Sequence, residues 1–278
     1  MANAVHHHQN LPHRNSRIVF GSCNSQYYEN PFWDIIRERH PTAFVWAGDA
    51  VNADDQSRAL YKDIDSSNTI FHGAPDYLRQ LFAKQLQVEG YKRLLQDNYG
   101  GTNISIFGTI DDHDYGINNG DKTFPFGKEN GLEFTKFLGL TKNSSAMATR
   151  AAKGLGVYGV QVFDFASNTN PRLLTDLEAG IDPDVVPDKN NQNKDSQSST
   201  NQLVAVFVLD VRTNRTPWKQ NFPDRYSRDP EGDFLGEQQW AWFENAIGRS
   251  NATVNIVVSG IQVHAPWYYD SNLIENWR

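Results

Sequence analysis

Short apolar segments that each end at a cluster of polar residues recur along the chain, and this recurrence limits the folds it can adopt. The segments at 17–21, 43–46, 103–110 and 203–209 are typical of β-strands, and the clusters lie at 22–23, 48–49, 111–114 and 210–212. Continuous apolar strands belong to sheets that are covered on both faces, so the pattern predicts an α/β fold. Ligands in such folds bind beyond the carboxyl ends of the strands, so we expect the clusters to form one site.

The remaining apolar patterns predict helices around these strands. Asn30 is expected to cap a helix that begins with Pro31. Further helices are predicted at 75–98, 132–140 and 235–247, and further strands at 157–165 and 254–258. In the last helix, Trp240, Phe243 and Ile247 share one face, and we expect this apolar face to be partly exposed.

The composition argues against several classes of protein. The chain has 278 residues, with 26 Lys and Arg against 33 Asp and Glu, so its formal charge is −7. No basic surplus is available to contact phosphates, which argues against a dedicated nucleic-acid-binding surface. Cys23 is the only cysteine, so no internal disulfide can form. No apolar run approaches the roughly 18 residues of a membrane span.

Two polar stretches border or interrupt the predicted domain. Residues 1–16 contain a run of three consecutive histidines at 6–8 but no apolar core of a signal peptide, so we expect a disordered polar tail and leave the cellular compartment open. Residues 183–202 contain almost no apolar side chains and are expected to form a disordered insertion. The sequence therefore predicts one domain over 17–278, and it leaves the oligomeric state open.

Segment 111–114 is a dense ionisable group, with three carboxylates and His113 in four residues. Carboxylates this close repel one another, and burying them costs several kcal/mol unless a cation compensates. A metal site with an acid–base histidine and a plain polar turn are the two interpretations. Asp49, at the end of another strand, favours the metal, although an Asx-turn or a helix cap is its own alternative.

Cys23 and Arg212 are candidates at the other strand ends. A thiol beside carboxylates favours a metal, because nearby negative charge otherwise raises its pKa. A nucleophile paired with His113 and a buried structural thiol are the alternatives for Cys23. Arg212 suits bidentate recognition of a phosphate, and an ion pair within the chain is its alternative.

Taken in order, the motifs resemble those of the alkaline phosphatase D (PhoD-like) family of metallophosphatases. The matching segments are GSC at 21–23, GDAVNAD at 48–54, DDHDYGINN at 111–119, LDVR at 209–212, LGEQQW at 235–240 and IVVSGIQ at 256–262. The likeness extends over about 17–278, and the order and spacing of several motifs carry it.

This resemblance implies a four-layer α/β/β/α sandwich that hydrolyses phosphomonoesters or phosphodiesters at a centre of iron and calcium. It implies metal ligands at Cys23, Asp49, Asp112 and Asn118. It also implies that His113 protonates the leaving group, that Asp114 orients His113, and that Arg212 contacts the phosphate. Members of the family are often secreted.

The sequence departs from the family pattern at two places. Asn52 stands where the family usually has a tyrosine, whose phenolate supports ferric iron. No Gly-Asp-x-His segment follows Gly260, and the late histidine, His264, lies outside such a motif, so the resemblance implies a domain that lacks its C-terminal part. Two hypotheses follow: a metal-dependent phosphatase or phosphodiesterase, and an incomplete or pseudo-enzyme form that binds metal or phosphate without turnover.

Overall fold

The computed structural model describes residues 16–53, 73–99, 102–140, 145–166, 171–185, 202–221, 225–227 and 229–263. Nearly all of the expected tail at 1–16, most of the expected insertion at 183–202, and His264 lie outside these residues. The described residues form a mixed α/β structure of helices and sheets. None of their helices combines the length and the apolar character needed to span a bilayer.

Strands and helices alternate along much of the chain. The strands are β1 (Ile18–Gly21), β2 (Ala43–Ala47), β3 (Asn98–Tyr99), β4 (Thr102–Asn103), β5 (Ser105–Thr109), β6 (Gly159–Asp164), β7 (Arg172–Leu173), β8 (Leu203–Leu209), β9 (Lys219–Asn221), β10 (Arg225–Ser227) and β11 (Val254–Ser259). The helices are α1 (Phe32–Glu38), α2 (Pro75–Gln85), α3 (Glu89–Gln96), α4 (Asp112–Tyr115), α5 (Gly127–Phe137), α6 (Ala146–Lys153), α7 (Asp176–Ala179) and α8 (Gly236–Arg249).

The first sheet is parallel and has the strand order β1-β2-β5. Parallel pairing places the carboxyl ends of its strands at one edge, where the polar clusters follow. Trp33 of α1 fills the space over one face, with its ring 5.5 Å from Phe44 and 5.6 Å from Trp46. Tyr91 of α3 packs on the same group, 4.9 Å from Trp33. Aromatic side chains of the helices therefore cover this face.

The second sheet has the order β11-β8-β6-β7, with β11 parallel to β8 and the other pairs antiparallel. It meets the first sheet through Phe107 and Phe163, whose ring centroids are 6.0 Å apart. Thr109 adds polar contacts, because its hydroxyl donates to the carbonyl oxygens of Val157 at 2.9 Å and Leu209 at 3.0 Å. Elsewhere on β8, Phe207 lies 5.8 Å from Phe243 of α8.

The helix predicted over 75–98 is two helices, α2 and α3. The break is set by contacts from distant residues. The Glu29 carboxylate accepts hydrogen bonds from the amides of Glu89 and Gly90, at 2.7 and 3.3 Å, and so caps the start of α3. Gly90 also packs against Trp33, and a Cβ there would lie 2.7 Å from the Trp33 Cβ.

The structure refines two other predicted helices. The helix predicted at 132–140 is α5, which begins earlier, at Gly127. In α8 the buried face is Gln239, Trp242 and Ala246, whereas Trp240 and Ile247 are each 37% exposed. The residues at 239, 242 and 246 and those at 240, 243 and 247 both have the spacing of one helix face. The first set is buried because it has a distant partner, since the Trp242 indole donates to Asp182 at 3.0 Å.

Candidate metal centre

Ligand-type side chains converge beyond the carboxyl ends of β2 and β5. Asp49, Asp112 and His113 each offer a ligand atom, and these atoms lie within 4.8 Å of one another. Asp49 and Asp112 are only 8% and 7% exposed, and His113 is partly buried. Two carboxylates and an imidazole are donors that divalent metals accept, so this cluster could hold a metal ion.

A left-handed turn after β2 aims Asp49 into this cluster. Gly48 has φ +98° and Asp49 has φ +52°. A Cβ at position 48 would overlap the Cβ of Asp111, so only glycine fits the turn. Asp49 itself adopts a conformation that is costly for a residue with a side chain. Its carbonyl accepts the Asn24 amide at 2.9 Å, which ties the turn to the segment after β1.

Asp112 is held at both of its carboxylate oxygens by backbone amides. One oxygen accepts from His113 at 3.1 Å, and the other accepts from Asn119 at 2.7 Å. The His113 amide also lies 3.3 Å from an Asp49 oxygen. The short helix α4 and the chain that follows it therefore fix the position of Asp112 and its distance from Asp49.

Asp114 is fully buried, and its carboxylate also bonds to the backbone. Its oxygens accept from the amides of Val51 and Asp111, each at 3.2 Å. Desolvation, followed by the charge of Asp49, raises its pKa well above the ordinary value for aspartate. These contacts give Asp114 a positioning role, since they join the turn after β2 to the start of α4.

Arg212 enters the site from the end of β8 and pairs with Asp111. Its Nε lies 2.5 Å from Asp111 Oδ1, and its Nη2 lies 3.9 Å from an oxygen of Asp112. The side chains of Arg212 and Asp111 are 1% and 13% exposed, so the pair is largely shielded from water. Asp210 accepts the Arg212 amide at 2.9 Å. The intrachain ion pair considered for Arg212 is therefore present, with Asp111 as its partner.

The end of the second sheet packs against Asp111. A Cβ at Gly260, just after β11, would lie 2.8 Å from the carboxyl carbon of Asp111. The end of β11 therefore packs directly on the acidic partner of Arg212. Glycine is required at this position because the approach leaves no room for a side chain.

Negative charge exceeds positive charge around the cluster. Burial, then the carboxylates of Asp111 and Asp112, raise the pKa of Asp49 to about 7. Partial desolvation and the carboxylates of Asp49 and Asp111 also raise the pKa of the Cys23 thiol. A bound cation would offset this repulsion, so the electrostatics of the site match its donor set.

The other predicted ligands lie in different surroundings. Cys23 is exposed, has φ +54°, and is close enough to Asp49 to feel its charge, but it is not among the three clustered ligands. Asn118 is exposed. The amide of the next residue, Asn119, contacts Asp112 instead. Asn52 is held by Gln26, and among the described residues its buried Oδ1 has no hydrogen-bond partner.

Several contributions to the site were not predicted from sequence. His113 joins the potential ligands, Asp111 holds Arg212, and Asn119 and Gly260 shape the position of the acidic residues. His113 and Asp111 belong to the dense segment 111–114, so a signal for them exists. The contributions of Asn119 and Gly260 come from a backbone amide and from a missing side chain, and residue type does not mark either.

Comparisons of the chain with models of protein families, with curated proteins and with solved structures found no match. The interpretation of the centre therefore depends on its own geometry and charge.

Proposed function

We propose that the chain is a metal-dependent hydrolase of phosphomonoesters or phosphodiesters, of the PhoD-like kind that its motifs resemble. The observation that carries the proposal is the convergence of Asp49, Asp112 and His113 beside the buried guanidinium of Arg212. A carboxylate-rich cation site next to a fixed positive charge suits a phosphate group, which carries negative charge on several oxygens.

The packing of the described elements supports the layer order expected for such a fold. Aromatic side chains from α1 and α3 lie over the first sheet, Phe107 and Phe163 join the two sheets, and Phe207 meets α8 beyond the second. Layers in the order helix, sheet, sheet and helix correspond to a four-layer α/β/β/α arrangement, which we propose as the architecture.

In this proposal Asp49 and Asp112 hold the metal. When bound, the ion neutralises phosphate charge and lowers the pKa of a coordinated water. Iron and calcium are the first ions to test, because carboxylate oxygens suit calcium and the Cys23 thiol, if deprotonated, suits the softer iron. Among the described residues the buried Asn52 Oδ1 lacks a partner, and an amide oxygen is a neutral donor for a cation.

The side chains of the chain itself supply positioning and proton transfer. Asp111 and the Asp210 carboxylate fix Arg212, so its charge is preorganised before a phosphate arrives. His113 has two ring nitrogens. A nitrogen that carries a proton can donate it to a leaving oxygen, whereas a nitrogen that binds a metal cannot. Asp114 acts indirectly, through the positions of Val51 and Asp111.

A specific observation favours the second candidate, a protein that binds metal or phosphate without turnover. The Nε of Arg212 donates to Asp111, so part of the guanidinium is already engaged. If that pairing persists with substrate bound, the arginine contributes charge but fewer hydrogen bonds to the phosphate. The hydrolase and the metal-binding form of the second candidate predict the same metal binding and different turnover.

The test combines metal binding with hydrolysis. The purified chain is supplied with iron and calcium, and its metal content, melting temperature and hydrolysis of bis(p-nitrophenyl) phosphate are measured. Asp49→Asn and Asp112→Asn should each remove the metal-dependent rise in melting temperature and the activity. Asp34→Asn is the matched control, because Asp34 lies in an exposed surface ion pair. Metal binding without turnover would favour the second candidate, and less than about a tenth of an equivalent of metal would contradict the hydrolase and the metal-binding form of the second candidate.

A further inference from the structure

An open pocket with aromatic walls lies between the segment that joins β8 to β9 and the segment before α8. Its volume is about 210 Å³. The lining includes Arg215, Trp218, Asp229, Asp233, Phe234 and Trp240. Reciprocal hydrogen bonds hold the two segments together, since the Thr216 amide donates to the Asp233 carbonyl at 2.7 Å and the Asp233 amide donates to the Thr216 hydroxyl at 3.1 Å.

The aromatic side chains of the pocket are fixed in place. The rings of Trp218 and Phe234 pack edge to face, with centroids 6.2 Å apart. The indole nitrogen of Trp240 donates to Asp233 at 2.8 Å, while that carboxylate also accepts the amides of Leu235 and Gly236. Trp240 is nevertheless 37% exposed, so solvent reaches an aromatic ring whose orientation is already set.

One residue joins this pocket to the candidate metal centre. Arg215 lines the pocket and is 1% exposed, and its guanidinium lies 4.8 Å from the ring centre of Trp218. Its Nη2 donates to the Asn119 carbonyl at 2.8 Å, and the Asn119 amide donates to Asp112 at 2.7 Å. The pocket wall is therefore linked to a proposed metal ligand through a single intervening residue.

We propose that this pocket binds a flat aromatic group carried by the phosphate ester substrate. Pockets that enclose a whole ligand usually measure about 300–1,000 Å³, so this smaller one suits a single part of a larger molecule. Fixed aromatic rings recognise planar groups by stacking, and a guanidinium beside them adds attraction for a π-system. The proposal rests on the proposed function, since it assigns a substrate class to the same site.

Binding of two phosphonates by the metal-loaded chain tests this assignment without requiring turnover. Phenylphosphonate and methylphosphonate share the phosphonate group and differ in the aromatic ring, and their dissociation constants are compared by calorimetry. We expect phenylphosphonate to bind about tenfold more tightly, as aromatic stacking typically provides. Adenosine, which has a nucleobase and no phosphate, is added as a competitor. If adenosine displaces phenylphosphonate, the pocket accepts a nucleobase. If adenosine does not displace it and the tenfold preference is present, the pocket accepts an aryl group.

Variants test whether Trp240 is responsible for the preference for phenylphosphonate. Trp240→Ala should bring the ratio of the two dissociation constants close to one, whereas Trp240→Phe keeps a ring and should preserve the preference. Phe32→Ala is the control, because Phe32 is an exposed aromatic residue on α1 and lies outside the pocket. Equal binding of the two phosphonates, or a preference that survives in Trp240→Ala, would overturn the assignment.

Different experimental results would contradict the proposed function and the assignment of the pocket. Ester hydrolysis without any aromatic preference would leave the function standing and reject the pocket. A Trp240-dependent preference for phenylphosphonate in a chain that hydrolyses no ester would support the pocket and reject the hydrolase. If neither phosphonate nor adenosine binds, the pocket assignment is wrong.

Discussion

At the scale of single residues, the left-handed turn at Gly48 determines where Asp49 points. Gly48→Ala should destabilise the fold by about 2–4 kcal/mol, because the new Cβ combines a positive φ with overlap on Asp111. Gly139→Ala is the matched control, since Gly139 has φ +74° and nothing within 4 Å of a Cβ. It should cost only about 1 kcal/mol. Urea unfolding measures both, and equal losses would contradict the steric argument.

The buried pair of Arg212 and Asp111 supports a second prediction at this scale. Arg212→Met should cost about 3–5 kcal/mol, because it leaves a carboxylate in an acidic, largely buried site without its partner. Adding Asp111→Asn should recover part of the loss in a double-mutant cycle. Arg93 and Asp34 form a pair that is exposed on both sides and provides the control, for which Arg93→Met should cost less than about 1 kcal/mol. Additive losses at Arg212 and Asp111 would show that the pair is not coupled.

At the scale of elements, Arg150 joins α6 to the segment after α7 and to α8. It contacts both oxygens of Asp182, at 3.1 and 2.8 Å, and Asp182 also accepts the Trp242 indole. Burial opposes ionisation of Asp182, but the guanidinium outweighs it and lowers the carboxyl pKa below its ordinary value. The folded state therefore binds this proton less readily than the unfolded state does.

The sign of this shift predicts an acid dependence of stability. The contribution of Asp182 is complete above the ordinary aspartate pKa of about 3.9, and it is lost as the pH falls through the lowered folded value. Asp182→Asn should be less stable than the wild type at pH 7, and the difference should shrink as the pH approaches 3. Urea unfolding across this range measures it, and parallel curves for the two proteins would contradict the assignment.

At the scale of the whole molecule, Thr109 joins the two sheets. It is fully buried, and its hydroxyl donates to the carbonyls of Val157, just before β6, and of Leu209, at the end of β8. Thr109→Val keeps the shape and leaves these carbonyls without that donor, so we expect a loss of about 1–3 kcal/mol. Thr135→Val is the control, because the Thr135 hydroxyl bonds to Leu132 within α5. A loss at Thr109 no larger than the loss at Thr135 would show that the contact between sheets contributes little.

The sequence by itself determined which positions along the chain carry the candidate ligand and catalytic residues. An apolar run followed by Gly-Asp or by segment 111–114 is a local pattern, and strands form there because side chains of that kind pack on both faces of a sheet. Parallel pairing then brings the strand ends to one edge, so the neighbourhood of Asp49 and Asp112 was predictable.

Only the tertiary structure decided which partner each of these residues meets. Arg212 bonds to Asp111 across 101 positions of sequence, and Glu29 caps the start of α3, 60 positions away. Trp242, rather than Trp240, became the buried face of α8, which left Trp240 to line the pocket. The energies of these contacts depend on burial and on distances between remote residues, and a local pattern of residue types specifies neither.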